Sequence, residues 1–520
     1  MFDRFAGNAR GNFAVITALL AVPLIFAIGA AIDLARIQNA QSALQDAVDG
    51  AALAVLKDAD FDEATAYDIA NRMIQANYSG GYQNLKIEFT TFGAVVSADT
   101  EMPAALVSIV GIDDLISHTS ATVEYPPTKF EIALVLDTTG SMRGQKITEL
   151  KKAAKAMIAD LTTTEMLRRR MRFAVVPFSA FVNVGASNAD ADWLDTDGLN
   201  AVPYSVFPVG IDRLKVFQSL GASWKGCVEA RTEHGAESYS TDDTEPTSAK
   251  PRTLFVPLLA PDEPDENSGK RYSNSYLADG AGGLETYGIT KDQYGAFHYN
   301  EGNTAQVDDA NGLNSGCLAP AITPLTERYD DVTTAIDHLV ADGNTNITEG
   351  VAWGQRVLSP EEPFTEGLSP KEDVQKIIIL LTDGDNHVTL GNNELLSDYT
   401  AYGYIADGRW DKSYKSADTI CADGETGPEC RPTPSQPTLA EVIAEMNEDT
   451  QAACTAAKSS KTEIYAIRLE VDTKTSSDLL QGCATQTPDS PHYYDAREAE
   501  DLEWIFDDIA NRIKQLRITS

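Results

Sequence analysis

Several features that usually accompany catalysis or nucleic-acid binding are scarce in this 520-residue sequence. Its 41 lysines and arginines are outnumbered by 78 acidic residues, and the formal net charge of −37 disfavours contact with a phosphate backbone. The six histidines show no spacing typical of a metal site or catalytic triad. Neither a Gly-x-Ser-x-Gly elbow nor a phosphate-binding loop occurs. We therefore expect a protein that is not an enzyme and does not bind nucleic acid.

Charge is also missing from one stretch near the N-terminus. Phe13 to Ile32 contains twenty residues without a charged side chain, and as a helix at about 1.5 Å per residue it spans the roughly 30 Å hydrocarbon core of a bilayer. Arg4 and Arg10 precede it and Asp33 follows it, so the positive-inside rule predicts a cytoplasmic N-terminus. We favour a retained single-pass anchor. Two alternatives are a cleavable signal peptide, with small residues at 29–31, and a buried core helix.

The chain after the anchor has the pattern of a small α+β module. Helical spacing of apolar residues continues from Ile37 to Lys57, and this stripe serves either as an internal docking face or as a partner-binding face. A second helix is predicted over 62–77, and alternating stretches between 85 and 125 predict strands. The apolar segment Ala104 to Ile112 could be a helix, and Pro126-Pro127 reads as the linker to the next domain.

The next domain begins with an apolar strand that ends in oxygen-bearing side chains. Phe130 to Leu136 is almost continuously apolar, which is typical of a strand buried on both faces of a parallel sheet. Asp137, Thr139 and Ser141 follow at the carboxyl end, where open α/β sheets bind ligands. Oxygen ligands suit Mg²⁺, Mn²⁺ or Ca²⁺. The simpler alternative is that the hydroxyl residues cap the following helix.

Two later segments match this one. Thr345 lies in a loop ahead of a predicted helix. Asp383 directly follows a second predicted buried strand, Lys376 to Thr382. Together the three segments resemble the von Willebrand factor type A domain and its metal-ion-dependent adhesion site (MIDAS), although Thr139 replaces the usual serine. The resemblance implies a divalent cation, Mg²⁺ first and Mn²⁺ or Ca²⁺ as alternatives. The implied metal ligands are Asp137, Thr139, Ser141, Thr345 and Asp383.

This resemblance predicts an α/β fold with a doubly wound, mainly parallel sheet flanked by helices over residues 128–520. The periodic pattern is interrupted at about 185–324 and 386–436, which predicts two large insertions. The first insertion is either a functional element or a solvated excursion. The remaining predicted elements are helices 144–162, 326–340, 348–358, 438–458 and 497–517, with strands 172–178 and 462–469.

Six cysteines occur and none forms a Cys-x-x-Cys pair, which argues against a zinc ribbon. Because an even number outside the cytoplasm favours disulfides, we expect disulfide bonds, although the sequence alone does not choose the connectivity. Pairing of neighbours along the chain gives Cys227–Cys317, Cys421–Cys430 and Cys454–Cys483.

Residues from Gly11 to about Ala54 resemble the N-terminal region of the TadG-like (TadE/TadG) Tad/Flp pilus-assembly family. The resemblance rests on Gly11-Asn12-Phe13-Ala14-Val15, on Gly29 to Asp33, and on Leu44 to Ala54. Type IV pilins carry a glutamate just inside the processed helix. Ile16 stands in that neighbourhood here, so we do not expect cleavage by a prepilin peptidase. The resemblance implies a bacterial inner-membrane protein with a cytoplasmic segment 1–12, a membrane helix 13–36, an extracytoplasmic module 37–127, and a periplasmic bulk.

The sequence thus predicts a membrane-anchored pilus-assembly component that grips a partner carboxylate through its metal site. Its expected partners are pilus-assembly or envelope proteins, reached through the metal site and the insertions, and membrane lipid, contacted by the N-terminal helix. One alternative is a cell-surface adhesin that uses the same site. Another is a hydrolase within the first insertion, which the missing catalytic motifs disfavour.

Overall fold

The computed structural model divides into two compact units. The first comprises Met1–Pro127, to which the short stretch Thr164–Leu167 and Ser520 are also assigned, and the second comprises Thr128–Thr163 and Arg168–Thr519. Its described residues are 9–58, 62–90, 93–124, 129–200, 206–207, 210–231, 241–265, 270–277, 285–286, 289–290, 312–369, 371–407, 409–410, 437–486 and 492–519.

The first unit contains two helices and a three-stranded antiparallel sheet in the order β1-β2-β3. The apolar segment Ala104 to Ile112 contains no α-helix: it forms a single 3₁₀ turn over Val107–Val110, ended by Gly111 at a φ of 87°. Its elements are α1 (Ala9–Asp58), α2 (Glu63–Asn77), β1 (Tyr82–Phe89), β2 (Gly93–Pro103) and β3 (Asp114–Glu124).

The apolar stripe of α1 forms the core of this unit. Leu44, Val48 and Ala51 are completely buried, and they pack with Ala70 of α2 and Val96 of β2. The stripe is therefore an internal docking face, and the alternative of a partner-binding face is wrong.

The N-terminal part of α1 has the opposite character. Within the span Ile16–Lys57 an 18-residue window has a mean hydropathy of 2.3, and only 11% of that window is buried. Large apolar side chains such as Leu20, Leu24 and Ile28 are exposed along it. A buried core helix is therefore excluded, and the length and composition of α1 fit a membrane anchor.

The second unit is built on a mixed sheet in the order β13-β12-β11-β4-β5-β6-β7, with β10 paired to β5 as well. The five strands from β13 to β5 are parallel, whereas β6, β7 and β10 are antiparallel to their neighbours. The strands of this sheet are β4 (Lys129–Asp137), β5 (Met171–Phe178), β6 (Val182–Asn183), β7 (Cys227–Val228), β10 (Thr323–Thr326), β11 (Val374–Thr382), β12 (Thr462–Leu469) and β13 (Tyr493–Ala496). A separate two-stranded sheet pairs β8 (Glu285–Thr286) with β9 (Ile289–Thr290).

Helices alternate with the parallel strands, so the predicted fold class is confirmed. The prediction lacked α9 and β13 as well as the short elements α4, α5, β6, β7, β8, β9 and β10. The helix predicted at 326–340 is shorter in the structure, as α6. The helices are α3 (Gln145–Leu161), α4 (Glu165–Arg168), α5 (Arg213–Ser219), α6 (Tyr329–Asp337), α7 (Ile347–Leu358), α8 (Leu439–Ser459), α9 (Lys474–Cys483) and α10 (Asp501–Thr519).

Several described stretches of the first insertion belong to the hydrophobic core of the second unit. Trp193, Phe217 and Leu258 are almost fully buried and pack in the same cluster as Val135 of β4 and Trp353 of α7. The alternative of a solvated excursion is therefore wrong for these parts.

Two of the three expected disulfides are present. The sulfur atoms of Cys227 and Cys317 lie 2.00 Å apart. This disulfide links two residues that are 90 positions apart in sequence, across the first insertion. Cys454 and Cys483 join the C-terminal part of α8 to the end of α9. The third pair, Cys421–Cys430, lies outside the described residues.

Candidate metal centre

The site is built at the carboxyl end of β4, which delivers Asp137 into the interior. From Phe130 to Asp137 every residue of β4 is buried, because β4 lies between β5 and β11. The Asp137 carboxylate is inaccessible to solvent, and its two oxygens are held by different elements. Oδ1 accepts a hydrogen bond from the Thr139 amide at 2.8 Å, and Oδ2 accepts one from the Thr382 hydroxyl at 2.6 Å.

Three side-chain oxygens meet beside this carboxylate. The hydroxyl oxygens of Thr139 and Ser141 lie 2.9 Å apart, and the Ser141 hydroxyl donates to Oδ1 of Asp383 at 2.6 Å. The first and third predicted segments are thus in direct contact, although 242 positions separate Ser141 from Asp383.

The structure does not support the simpler interpretation of Thr139 and Ser141 as helix caps. Helix α3 begins only at Gln145, and its N-cap position is Gly144, which has no side chain to cap it. The short 3₁₀ turn Gly140–Met142 also lacks a side-chain cap. The two hydroxyl groups therefore face Asp383 and each other, instead of serving a helix N-terminus.

Backbone hydrogen bonds fix the second segment against the first. The Asp342 amide donates to the Thr138 carbonyl at 2.8 Å, and the Gly140 amide donates to the Gly343 carbonyl at 2.9 Å. Gly343 has a φ of +87°, a conformation that strains residues with a side chain, so the turn requires glycine here.

The same segment is also tied to the third. The Thr345 carbonyl accepts a hydrogen bond from the His387 amide at 2.9 Å, and only 5% of Thr345 is exposed. Immediately afterwards, Asn346 caps α7 by accepting from the Glu349 amide at 3.2 Å. The structure thus places all three predicted segments at one edge of the sheet.

The electrostatics of the site are those of two acids in a buried space. Burial, and then the neighbouring charge of Asp383, raise the pKa of Asp137 to about 6. The Lys146 ammonium lies 2.7 Å from Oδ2 of Asp383, and Glu470 is 3.6 Å from the same ammonium. The two carboxylates thus favour a positive charge at this end of the sheet. Lys146 supplies one at Oδ2 of Asp383, whereas Oδ1 of Asp383 accepts from the Ser141 hydroxyl.

The donor set fits a hard divalent cation. Asp137 and Asp383 bring negative charge, while Thr139 and Ser141 bring neutral oxygens at hydrogen-bonding distance from one another. The described residues contain no group of three or more histidine, cysteine or acidic side chains suited to a metal. A site of two carboxylates and several hydroxyls is not covered by that description, since hydroxyl ligands are not among those residue types.

Sequence reasoning missed two residues that shape the site. Thr382 holds Oδ2 of Asp137, and Lys146 neutralises part of the Asp383 charge. The sequence does carry a signal for Thr382, because it is a hydroxyl residue directly before the predicted ligand Asp383. Lys146 follows the first segment by only five positions, but no residue pattern distinguishes it from the other lysines of α3.

Comparison with known proteins gives one family match and several distant structural matches. Residues 11–60 match the family described as putative Flp pilus-assembly TadE/G-like. No curated protein matches the chain.

Three solved structures illustrate the distant matches. The pilus adhesin SpaC from Lactobacillus rhamnosus GG is 13% identical, with a TM-score of 0.32, and the match covers 83% of this chain and 34% of SpaC. The von Willebrand factor domain of the type V pili tip protein Mfa5 from Porphyromonas gingivalis is 10% identical, with a TM-score of 0.31 and coverages of 74% and 95%. A von Willebrand factor type A protein from Catenulispora acidiphila is 11% identical, with a TM-score of 0.27 and coverages of 83% and 50%. The match thus spans about a third of the length of SpaC.

The parallel sheet, the alternating helices and the three converging segments define a protein with a domain of the von Willebrand factor type A class. Residues 11–60 in its N-terminal region are similar to the TadE/G-like family of Flp pilus assembly. The same region contains one helix that is long and apolar enough to cross a membrane.

Proposed function

We propose that this protein is a membrane-anchored binding component of Tad/Flp-type pilus assembly that grips a carboxylate of a partner protein through a divalent cation. The observation that carries the proposal is the row of oxygens from Thr139 through Ser141 to Asp383, beside the buried Asp137. It occurs in a chain whose N-terminal region is of the pilus-assembly type.

Each residue of the site has a distinct part in this proposal. Asp137, Thr139, Ser141, Thr345 and Asp383 would hold the cation, Mg²⁺ by preference and Mn²⁺ or Ca²⁺ as alternatives. When bound, the cation supplies a positive centre that a carboxylate from another protein can complete.

The residues next to the site also favour a binding role over a catalytic one. Thr382 fixes the orientation of Asp137 by donating to Oδ2, and Lys146 keeps Oδ2 of Asp383 paired. Neutral hydroxyl oxygens leave more positive charge on a bound cation than additional carboxylates would. No general base or nucleophile is assigned to this site, so we propose a non-enzymatic role.

We further propose that α1 anchors the chain in the bacterial inner membrane, in contact with lipid, with residues 1–12 in the cytoplasm and the bulk of the chain in the periplasm. The exposed apolar side chains of its first part support this anchor. Protease treatment of intact cells should leave the protein uncut, whereas treatment of spheroplasts should degrade its larger unit. Cleavage in intact cells would instead indicate a surface protein.

The binding role can be tested by complementation in the source bacterium. In a strain that lacks the protein, wild type should restore pili visible by electron microscopy, whereas Asp137→Asn should not. The matched control is Asp385→Asn, because Asp385 lies two positions beyond Asp383 and bonds to Thr473. Pili at the wild-type number in the Asp137→Asn strain would overturn the proposal, provided that immunoblots show equal protein.

A further inference from the structure

A second apolar surface of the first unit lies outside the anchor helix. The segment Ala104–Ile112 joins β2 to β3, and three of its large aliphatic side chains are exposed: Leu106 by 38%, Ile109 by 81% and Ile112 by 48%. A polar protein surface rarely gathers three such side chains within seven positions, and apolar patches of this kind usually contact another apolar phase.

Hydrogen bonds hold the segment Ala104–Ile112 against α1, at the end of the membrane-spanning part of that helix. Asp33 accepts hydrogen bonds from three consecutive amides, those of Ala105 at 3.2 Å, Leu106 at 2.7 Å and Val107 at 2.9 Å. Only 1% of Asp33 is exposed. The first acid after the apolar run thus binds the loop backbone, instead of pointing into solvent.

A glycine lets the loop approach the helix closely. A side-chain carbon added at Gly29 would lie 2.9 Å from Cβ of Leu106, so a larger residue at this position would push the loop away. Gly29 lies four residues before Asp33, which corresponds to about 6 Å of helix rise. Leu106 therefore reaches past Asp33 to the level of the exposed apolar side chains of α1, such as Ile28 and Ile32.

The direction of β3 agrees with this placement. Gln41 of α1 donates to the His118 carbonyl at 3.2 Å, and Gln45 donates to the Ser120 carbonyl at 3.0 Å. Strand β3 and helix α1 therefore run in the same direction. The beginning of β3, at Asp114, therefore lies on the side of the apolar N-terminal part of α1. The loop that precedes β3 lies even closer to that apolar part.

We propose that Ala104–Ile112 is a second membrane element, whose apolar tip inserts into the headgroup and acyl boundary of the bilayer that α1 spans. This inference rests on the proposed membrane anchor. Lipid is the occupant that the structure favours, because the patch is continuous with the exposed apolar surface of α1. Interfacial elements commonly reach about 5–10 Å into this boundary, which agrees with the roughly 6 Å between Asp33 and Gly29.

The charges around the tip indicate how it binds. The segment itself contains no lysine or arginine, and the exposed Asp113 and Asp114 follow it directly. Attraction to anionic headgroups therefore contributes nothing, and insertion should occur equally well in neutral phosphatidylcholine. Two attachment points on one membrane would also restrict the tilt and rotation of α1.

The test uses the full chain in phosphatidylcholine nanodiscs, labelled with an environment-sensitive fluorophore at Ile109→Cys. Cys421 and Cys430 are replaced by serine, and the other four cysteines form disulfides, so the introduced thiol is the one to be labelled. Lipid-borne nitroxides near the headgroup should quench this label several-fold more than a water-soluble quencher does. Because Ile109 is largely exposed, its substitution leaves the core unchanged.

Two control positions keep the outcomes distinct. Glu88→Cys on β1 marks a distant site, because Glu88 pairs with Val95, which in turn pairs with Thr122 at the far end of β3. Leu24→Cys marks the anchor itself. A label at Ile109 that behaves like the one at Glu88, while Leu24 is quenched by lipid, would overturn this inference and leave the anchor intact.

Two further outcomes would also overturn the inference. A label at Leu24 that is open to the water-soluble quencher would overturn the anchor and, with it, the second element. A label at Ile109 shielded from both quenchers would show that protein covers the tip instead of lipid.

Discussion

The pH dependence of folding should reveal a buried acid in the first insertion. Only 1% of Glu263 is exposed, and its carboxylate accepts hydrogen bonds from the Ser273 and Asn274 amides and from the Tyr404 hydroxyl. Burial raises the pKa of Glu263 to about 7, since these neutral donors compensate for the lost solvation only in part and the Asp398 carboxylate disfavours a second negative charge nearby.

The sign and the size of the effect follow from proton linkage. The unfolded chain releases the Glu263 proton near pH 4.5, whereas the folded chain keeps it until about pH 7. In this window the folded state binds more protons, so the free energy of unfolding falls as pH rises. A difference of roughly 2.5 pH units, at about 1.4 kcal/mol each, corresponds to about 3 kcal/mol lost between pH 4.5 and 8.

Denaturant unfolding of the full-length protein in detergent micelles would measure this loss. All five tryptophans lie beyond residue 190, so their fluorescence reports on the second unit. Glu263→Gln keeps the shape of the side chain but does not titrate, and it should flatten the pH dependence by about 3 kcal/mol over this window. Equal slopes for wild type and Glu263→Gln would refute the reasoning.

A second buried glutamate provides the control. Although burial alone would raise the pKa of Glu229, the guanidinium groups of Arg213 and Arg409 hold it below its usual value. Glu229→Gln should therefore destabilise the unit by about 3–5 kcal/mol, because two buried cations lose their partner. It should leave the slope between pH 5 and 8 unchanged.

Two further changes test the packing. Gly354→Ala would place a carbon 2.5 Å from Cγ2 of Val135, so we expect a loss of about 1–3 kcal/mol in denaturant unfolding, whereas Gly384→Ala, with no atom within 4 Å, should cost far less. Replacing Cys454 and Cys483 by serine opens a link across 29 residues and should cost about 3 kcal/mol in the same assay. Equal stabilities of the two glycine variants, or an unchanged stability without the disulfide, would contradict these expectations.

The parts of the fold that sequence predicts best are those with strong periodicity and clear ends. Strand β12 runs from Thr462 to Leu469 as predicted, because its apolar residues are bounded by Lys461 and Glu470. Helix α8 begins at Leu439 behind a capping box formed by Thr438 and Glu441, a signal that can be read directly from the residues. The three segments of the candidate metal site were predicted for a related reason, since each follows a buried strand or precedes a helix.

Other parts could not be predicted, because their stability comes from contacts between distant segments. The first insertion lacks periodicity, yet Phe255 is buried with the Arg356 guanidinium 5.0 Å from its ring centre. Strand β13, Tyr493–Ala496, is only four residues long and depends on pairing with β12. The role of Lys146 likewise depends on Asp383, which is 237 positions away in sequence.

The most direct test of the account is titration calorimetry of Mg²⁺ into the full-length protein in detergent, with Asp383→Asn and Asp385→Asn measured beside wild type. Asp383 accepts from Ser141 inside the site, whereas Asp385 bonds to Thr473 outside it. The account predicts saturable binding of one ion by wild type and by Asp385→Asn, and none by Asp383→Asn. Equal binding by all three proteins, or no binding of Mg²⁺, Mn²⁺ or Ca²⁺ by wild type, would contradict it.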